Sequence, residues 1–175
     1  MTTGDFDPQT APDSETGGYP PPPPAGQEPG SLGLRLGARI IDNIVVYIVA
    51  IAIGFVLSTV TDYANNPFLF AFINGLIAGV LTFIYFIAFE TSQGWTLGKK
   101  VLGLSVHGPD GATKPTFQQS AIRNVWTLFN VVPPQIVGGV LYLIAVIGIG
   151  VTINGSPTKQ GIHDRLAGGT QVVKG

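Results

Sequence analysis

The chain has no cysteine, a single methionine and very little charge. Without cysteine there is no disulfide, no thiolate metal ligand and no cysteine nucleophile. Charged residues make up 11% of the 175, where about 25% is usual for a soluble domain, so a conventional solvated surface cannot be assembled. No lysine or arginine precedes Arg35, and residues 1–30 also lack an apolar run, so the start does not read as a secretory signal peptide. The net charge of −1 gives no basic excess for a nucleic acid to meet.

What the chain does have is apolar residues, 45% of the total, gathered in charge-free runs at 43–61, 63–89 and 124–158. About 18 such residues cross the roughly 30 Å hydrocarbon layer as a helix. The fold class that follows is an all-α integral membrane protein: a helical bundle of three to four membrane segments with a disordered N-terminal tail and a small cytoplasmic loop hairpin. Spans are expected at about 36–60, 67–89 and 135–153. Residues 1–30 hold five acidic residues, no basic ones and the proline run 20–24. They bury too little apolar surface to offset their ordering entropy, and the prolines favour a polyproline II rod. The tail reads as a tether, with residues 19–24 available to a proline-motif-binding protein.

Within the first two spans small residues recur every fourth position, as Ala50, Gly54 and Ser58 and as Ala71, Gly75 and Gly79. That spacing sets each trio on one helix face, where backbones can approach closely in a membrane. The two spans are expected to pack along these stripes as an antiparallel hairpin, or to use one stripe between copies.

Basic residues are retained on the cytoplasmic side. Lys99, Lys100, Lys114 and Arg123 therefore place the loop after the second span inside, as Arg35 and Arg39 place the N-terminus. Within this loop, residues 96–102 read as a short interfacial helix with Lys99 and Lys100 toward head groups. Residues 102–117 read as a hairpin around Pro109, Asp110 and Gly111. The run 124–158 is too long for one span and contains Pro133 and Pro134, which interrupt a helical ladder. Residues 118–132 are then either an interfacial amphipathic helix or a tilted or re-entrant fourth segment. Three spans alone would leave Lys159, Arg165 and Lys174 outside, so charge favours the fourth inserted piece and a cytoplasmic C-terminus.

The stretch LGARIIDNIV at 36–45, with Arg35 before it, puts two arginines and an aspartate at the mouth of the first span. Arg39 lies four residues after Arg35 and three before Asp42, so all three share a helix face. An aspartate fully centred in a span costs on the order of 2.5–3.5 kcal/mol. Asp42 therefore needs a partner, and Arg39 is the nearest. The alternatives are an ion pair that anchors the helix end and an ionisable group that marks a path for an ion, proton or ligand. Asn43, Tyr47, Asn74 and Glu90 are accessory candidates. Enzyme chemistry is not expected: residues 94–100 lack the spacing of a phosphate loop, no serine elbow is present, and His107 and His163 stand apart from other metal ligands. No cofactor or metal is implied.

Three motifs in order, Arg35 with Ala38, Ile41 and Asp42, then GWTLGKKVLGLSV at 94–106, then IHDRLAGGTQVV at 162–173, resemble the RDD family of bacterial membrane proteins. The resemblance covers about residues 32–173, and makes Arg35 the family arginine and Asp42 and Asp164 its aspartates. Arg39 is an additional charge. A proline-rich tail ahead of such a domain is similar to actinobacterial members. The resemblance implies a multi-pass protein of the plasma (inner) membrane, of a family suspected of transport. The buried charge adds the expectation that a small solute or cation passes with Asp42 exchanging a proton or cation, and so few spans require a homo-oligomer for it. A cytoplasmic C-terminus lets His163 and Asp164 close the cluster over Arg35. A scaffold that recruits partners through its tail or loop is the alternative from another class.

Overall fold

The computed structural model describes residues 26–175, so residues 1–25 of the tail expected at 1–30 lie outside the described residues. Three helices are long and apolar enough to span a membrane: α1 (Leu32–Val60), α2 (Pro67–Gln93) and α5 (Gln135–Gly155). Between α2 and α5 come the short α3 (Leu97–Val101), strand β2 (Leu104–His107) and α4 (Phe117–Asn124). A 3-10 segment, Val125–Val131, links α4 to α5, and α6 (Ile162–Leu166) and strand β3 (Gln171–Lys174) follow.

The helix ends follow from local chemistry. Ser31 caps α1 by accepting from the Leu34 N–H, and Asn66 accepts from Phe68 and Leu69 with Pro67 in the first turn of α2. Gly94 closes α2 at φ 77°, a left-handed turn that a side chain resists. α1 is 29 residues long, about 43 Å at 1.5 Å per residue. The hydrocarbon layer takes about 30 Å of that, so the first two or three turns, which carry Arg35 and Arg39, can stand at the interface.

At the far end the chain turns through a 3-10 linker, Asp62–Asn65, where the Tyr63 hydroxyl donates to the Gly54 carbonyl at 2.9 Å. The expected stripe holds for α1, whose buried Ala50 and Gly54 face α2, with Gly54 under the Asn74 side chain. It does not hold for α2: Gly75 lies against Asn130 and Gln135, and Gly79 against Val131. Those glycines make room for the 3-10 segment rather than for α1. Residues 117–131 thus descend beside α2, and α5 returns with Gly138 against the Phe129 and Val132 carbonyls. The fourth piece is therefore a broken segment, a short helix followed by a 3-10 stretch, packed against α2 and α5.

The chain also forms a three-stranded antiparallel sheet, in the order β1 (Glu28–Pro29), β3, β2. This corrects two expectations. Residues 28–30, assigned to the tail, are structured, with the Gly30 N–H on the Val172 carbonyl at 2.9 Å. The loop hairpin does not form, because β2 pairs with β3, Val106 opposite Val172, while Pro109–Gly111 is a 3-10 turn. The sheet packs Leu104, Val106 and Val172 onto Ala38 of α1. Both ends of the described chain therefore lie at one end of the bundle, opposite the 61–66 linker. Cysteines introduced singly as Asn65→Cys and Gly175→Cys should differ in intact cells, with an impermeant thiol reagent reaching one before permeabilisation and the other only after. Labelling of both from the same side would overturn this arrangement.

Candidate functional site

Three buried carboxylates sit at the sheet end of the bundle, each fully covered: Asp42 on α1, Glu90 on α2 and Asp164 on α6. A bare carboxylate there would be prohibitive, so their partners define the site.

Asp42 does not pair with Arg39. Its oxygens accept from the Tyr85 hydroxyl at 2.7 Å, the Thr96 hydroxyl at 2.5 Å and the Gly98 N–H at 2.7 Å. This corrects the ion pair expected from helical spacing. Thr96 also caps α3, accepting from the Lys99 N–H. Gly98 is needed because a Cβ there would collide with the Ala38 carbonyl oxygen. Asp42 thus staples α3 across the mouth of α1 and α2.

Asp164 is the most highly bonded group. Arg35 reaches it at 2.9 Å and Arg123 at 3.1 Å, His163 Nε2 lies 3.5 Å away, and the Gly161 N–H donates at 3.1 Å. The same Arg35 donates to the carbonyls of Gly30 and Val172, which locks the sheet to α1. Burial opposes ionisation of Asp164, but Arg123, His163 and Arg35 together hold its carboxyl below the usual range.

Glu90 takes an ion pair from Lys99, accepts from Ser120 at 2.9 Å and Asn124 at 3.0 Å, and has the Arg123 Nε at 3.8 Å. Lys99 was expected to face lipid head groups; it is instead 7% exposed and turned inward. Burial pushes its ammonium down to about 8 against the pull of Glu90. Arg123 touches both Glu90 and Asp164 and so joins the two sets of bonds.

Arg39 is flanked by rings, its guanidinium carbon 3.8 Å from the Phe86 centroid and 4.5 Å from that of Trp126. Of the accessory candidates, Glu90 and His163 belong to the cluster. Asn43 is half-buried and enters neither set of bonds. Asn74 donates to the Phe70 carbonyl of its own helix at 2.8 Å, and its 16-residue separation from Glu90 is about 24 Å along α2. Lys99, Arg123, Tyr85 and Thr96 were not singled out from the sequence. A signal existed for the arginine: Ser120, Arg123, Asn124 and Thr127 recur at helical spacing, and all four are buried.

Arg123→Gln leaves two buried carboxylates short of a cation. It should remove roughly 3–5 kcal/mol of stability, read as a lower melting temperature in detergent; melting like the parent would show that the bridge does not hold α4. His163 gives a pH signature. Burial pushes its imidazole down to about 4 from 6.5, so between those values the unfolded chain binds the proton and the folded chain does not. Stability therefore falls as pH drops through that window, by on the order of 3 kcal/mol. His163→Gln should flatten the decline, and an unchanged slope in thermal melts would refute the assignment.

No curated protein and no solved structure matches the chain. The family model described as RDD family matches residues 29–168, a stretch that includes Arg35, Asp42 and Asp164. With most of its length matched and these residues buried at one end of three apolar helices, the chain belongs to the RDD family.

Proposed function

We propose that the protein transports a small solute or cation across a bacterial plasma membrane as a homo-oligomer, with the buried ion cluster closing the cytoplasmic mouth of each protomer. The observation that carries this reading is the broken segment 117–131. Non-α backbone at membrane depth is tolerated where protein covers it or a polar cavity runs beside it. Transport proteins also build sites from interrupted segments inside the bundle. Here the head of that segment is held by the Arg123 bridge, and its foot by Gly75, Gly79 and Gly138.

All nine lysines and arginines of the chain lie toward the sheet end and none in the 61–66 linker, which favours a cytoplasmic sheet end. Three long helices enclose little on their own, so a path needs neighbouring copies. Proton coupling is assigned to Lys99 rather than Asp42, because Asp42 is held by three neutral donors. Burial brings Lys99 down to about 8, within reach of exchange near neutral pH, although Glu90 pulls the other way.

A potassium or sodium pulse applied to proteoliposomes carrying a trapped pH dye should move internal pH. Lys99→Gln should slow that movement about tenfold or more, a barrier change of about 1.4 kcal/mol. No response from well-folded protein would overturn the reading. The saturation of Asp42 favours a second reading, a membrane scaffold that recruits partners through the proline-rich tail or the cytoplasmic loop. Deleting residues 1–25 discriminates, since flux survives the deletion and recruitment by the tail does not.

A further inference from the structure

Against the ion cluster, and lined in part by it, lies a cavity of about 100 Å³. Its polar wall is built by the cluster, Asp42, Glu90, Lys99 and Arg123 among its lining, together with Arg39, whose Nε and Nη2 are buried with no hydrogen-bond partner. Those two nitrogens form one edge of the guanidinium, the edge that offers two parallel N–H groups to a carboxylate or phosphate. The rings of Phe86 and Trp126 hold this fork in place.

The local charge count points the same way. Arg35, Arg39, Lys99 and Arg123 face Asp42, Glu90 and Asp164, which leaves one positive charge over. Every carboxylate of the cluster is already held by other donors, so of the four cations counted here Arg39 is the one without an ion pair. A buried charge in that condition is costly, and an anion entering the cavity relieves it.

The opposite wall is apolar. Leu32 and Leu36 of α1 face Val146, Ile149, Gly150 and Ile153 of α5 across the cavity, and Leu36 is half exposed on the outer side. The volume suits a headgroup and not a whole lipid, so a chain attached to that headgroup would leave between α1 and α5 toward the bilayer. We propose that Arg39 is the anchor of a binding site for an anionic amphiphile, its single carboxylate or phosphate on the Nε–Nη2 edge and its acyl chain between α1 and α5. The site is independent of transport and stands or falls by binding alone.

Trp126 lies against Arg39 and serves as the reporter. In a Trp95→Phe background, detergent-solubilised protein is titrated with laurate, dodecanol, acetate and inorganic phosphate while tryptophan emission is followed. Laurate should give a saturable change that dodecanol, acetate and phosphate at the same concentrations do not. Arg39→Gln removes no ion pair and should weaken laurate about tenfold or more, with Arg39→Lys, which lacks the fork, falling between. Gly150→Leu fills the cavity from α5, where an added Cβ meets Leu32 at an ordinary 3.8 Å, and should also abolish the response. An equal response to dodecanol would show a grease-filled crevice, and saturation by acetate or phosphate a free-anion site; either overturns the proposal. So does laurate binding that survives both Arg39→Gln and Gly150→Leu in variants that elute and melt like the parent.

Discussion

Everything at the sheet end depends on Arg123 standing between two buried carboxylates. Glu90 belongs to α2 and Asp164 to α6, and a single guanidinium on α4 satisfies part of both. The bridge fixes three elements that are far apart in sequence, beside the small apolar core that Leu104, Val106 and Val172 form on Ala38. A membrane supplies little hydrophobic force between helices. Polar bonds formed out of water are therefore what specifies this arrangement, and the cluster distributes them so that each carboxylate has several donors.

From that anchor the rest can be followed outward. Arg35 carries the bonding from Asp164 to the Gly30 and Val172 carbonyls, and so to all three strands. Lys99 carries it from Glu90 to α3, where Thr96 and Gly98 hold Asp42. The result is a polar lid of short elements across the ends of α1 and α2. At the opposite end the Tyr63 hydroxyl on the Gly54 carbonyl and the Asn66 cap of α2 hold the 61–66 linker.

The parts of this fold that were legible in the sequence were those written in local composition. Charge-free runs gave the three long helices, and Pro133 and Pro134 the break before α5. The pairing of Arg35 with Asp164 was reachable only by combining topology with the RDD resemblance. What could not be read was set by contacts distant along the chain. Asp42 finds Thr96 and Gly98 more than fifty residues away, and helical spacing offered Arg39 as a nearer partner. The turn at Pro109 looked sufficient for a hairpin, yet β2 takes its hydrogen bonds from β3, Gln171–Lys174, far beyond that turn in the sequence.

Strand order has a consequence for synthesis. β3 is the last of the three strands to leave the ribosome, and it is the middle one. Until it arrives, β1 and β2 have no neighbour in the sheet, and Arg35 has neither the Val172 carbonyl nor Asp164. The helices α1 and α2 thus precede their lid, and assembly of the polar cap has to wait for α6 and β3. The protein's own geometry delays its closure until the third strand has been made.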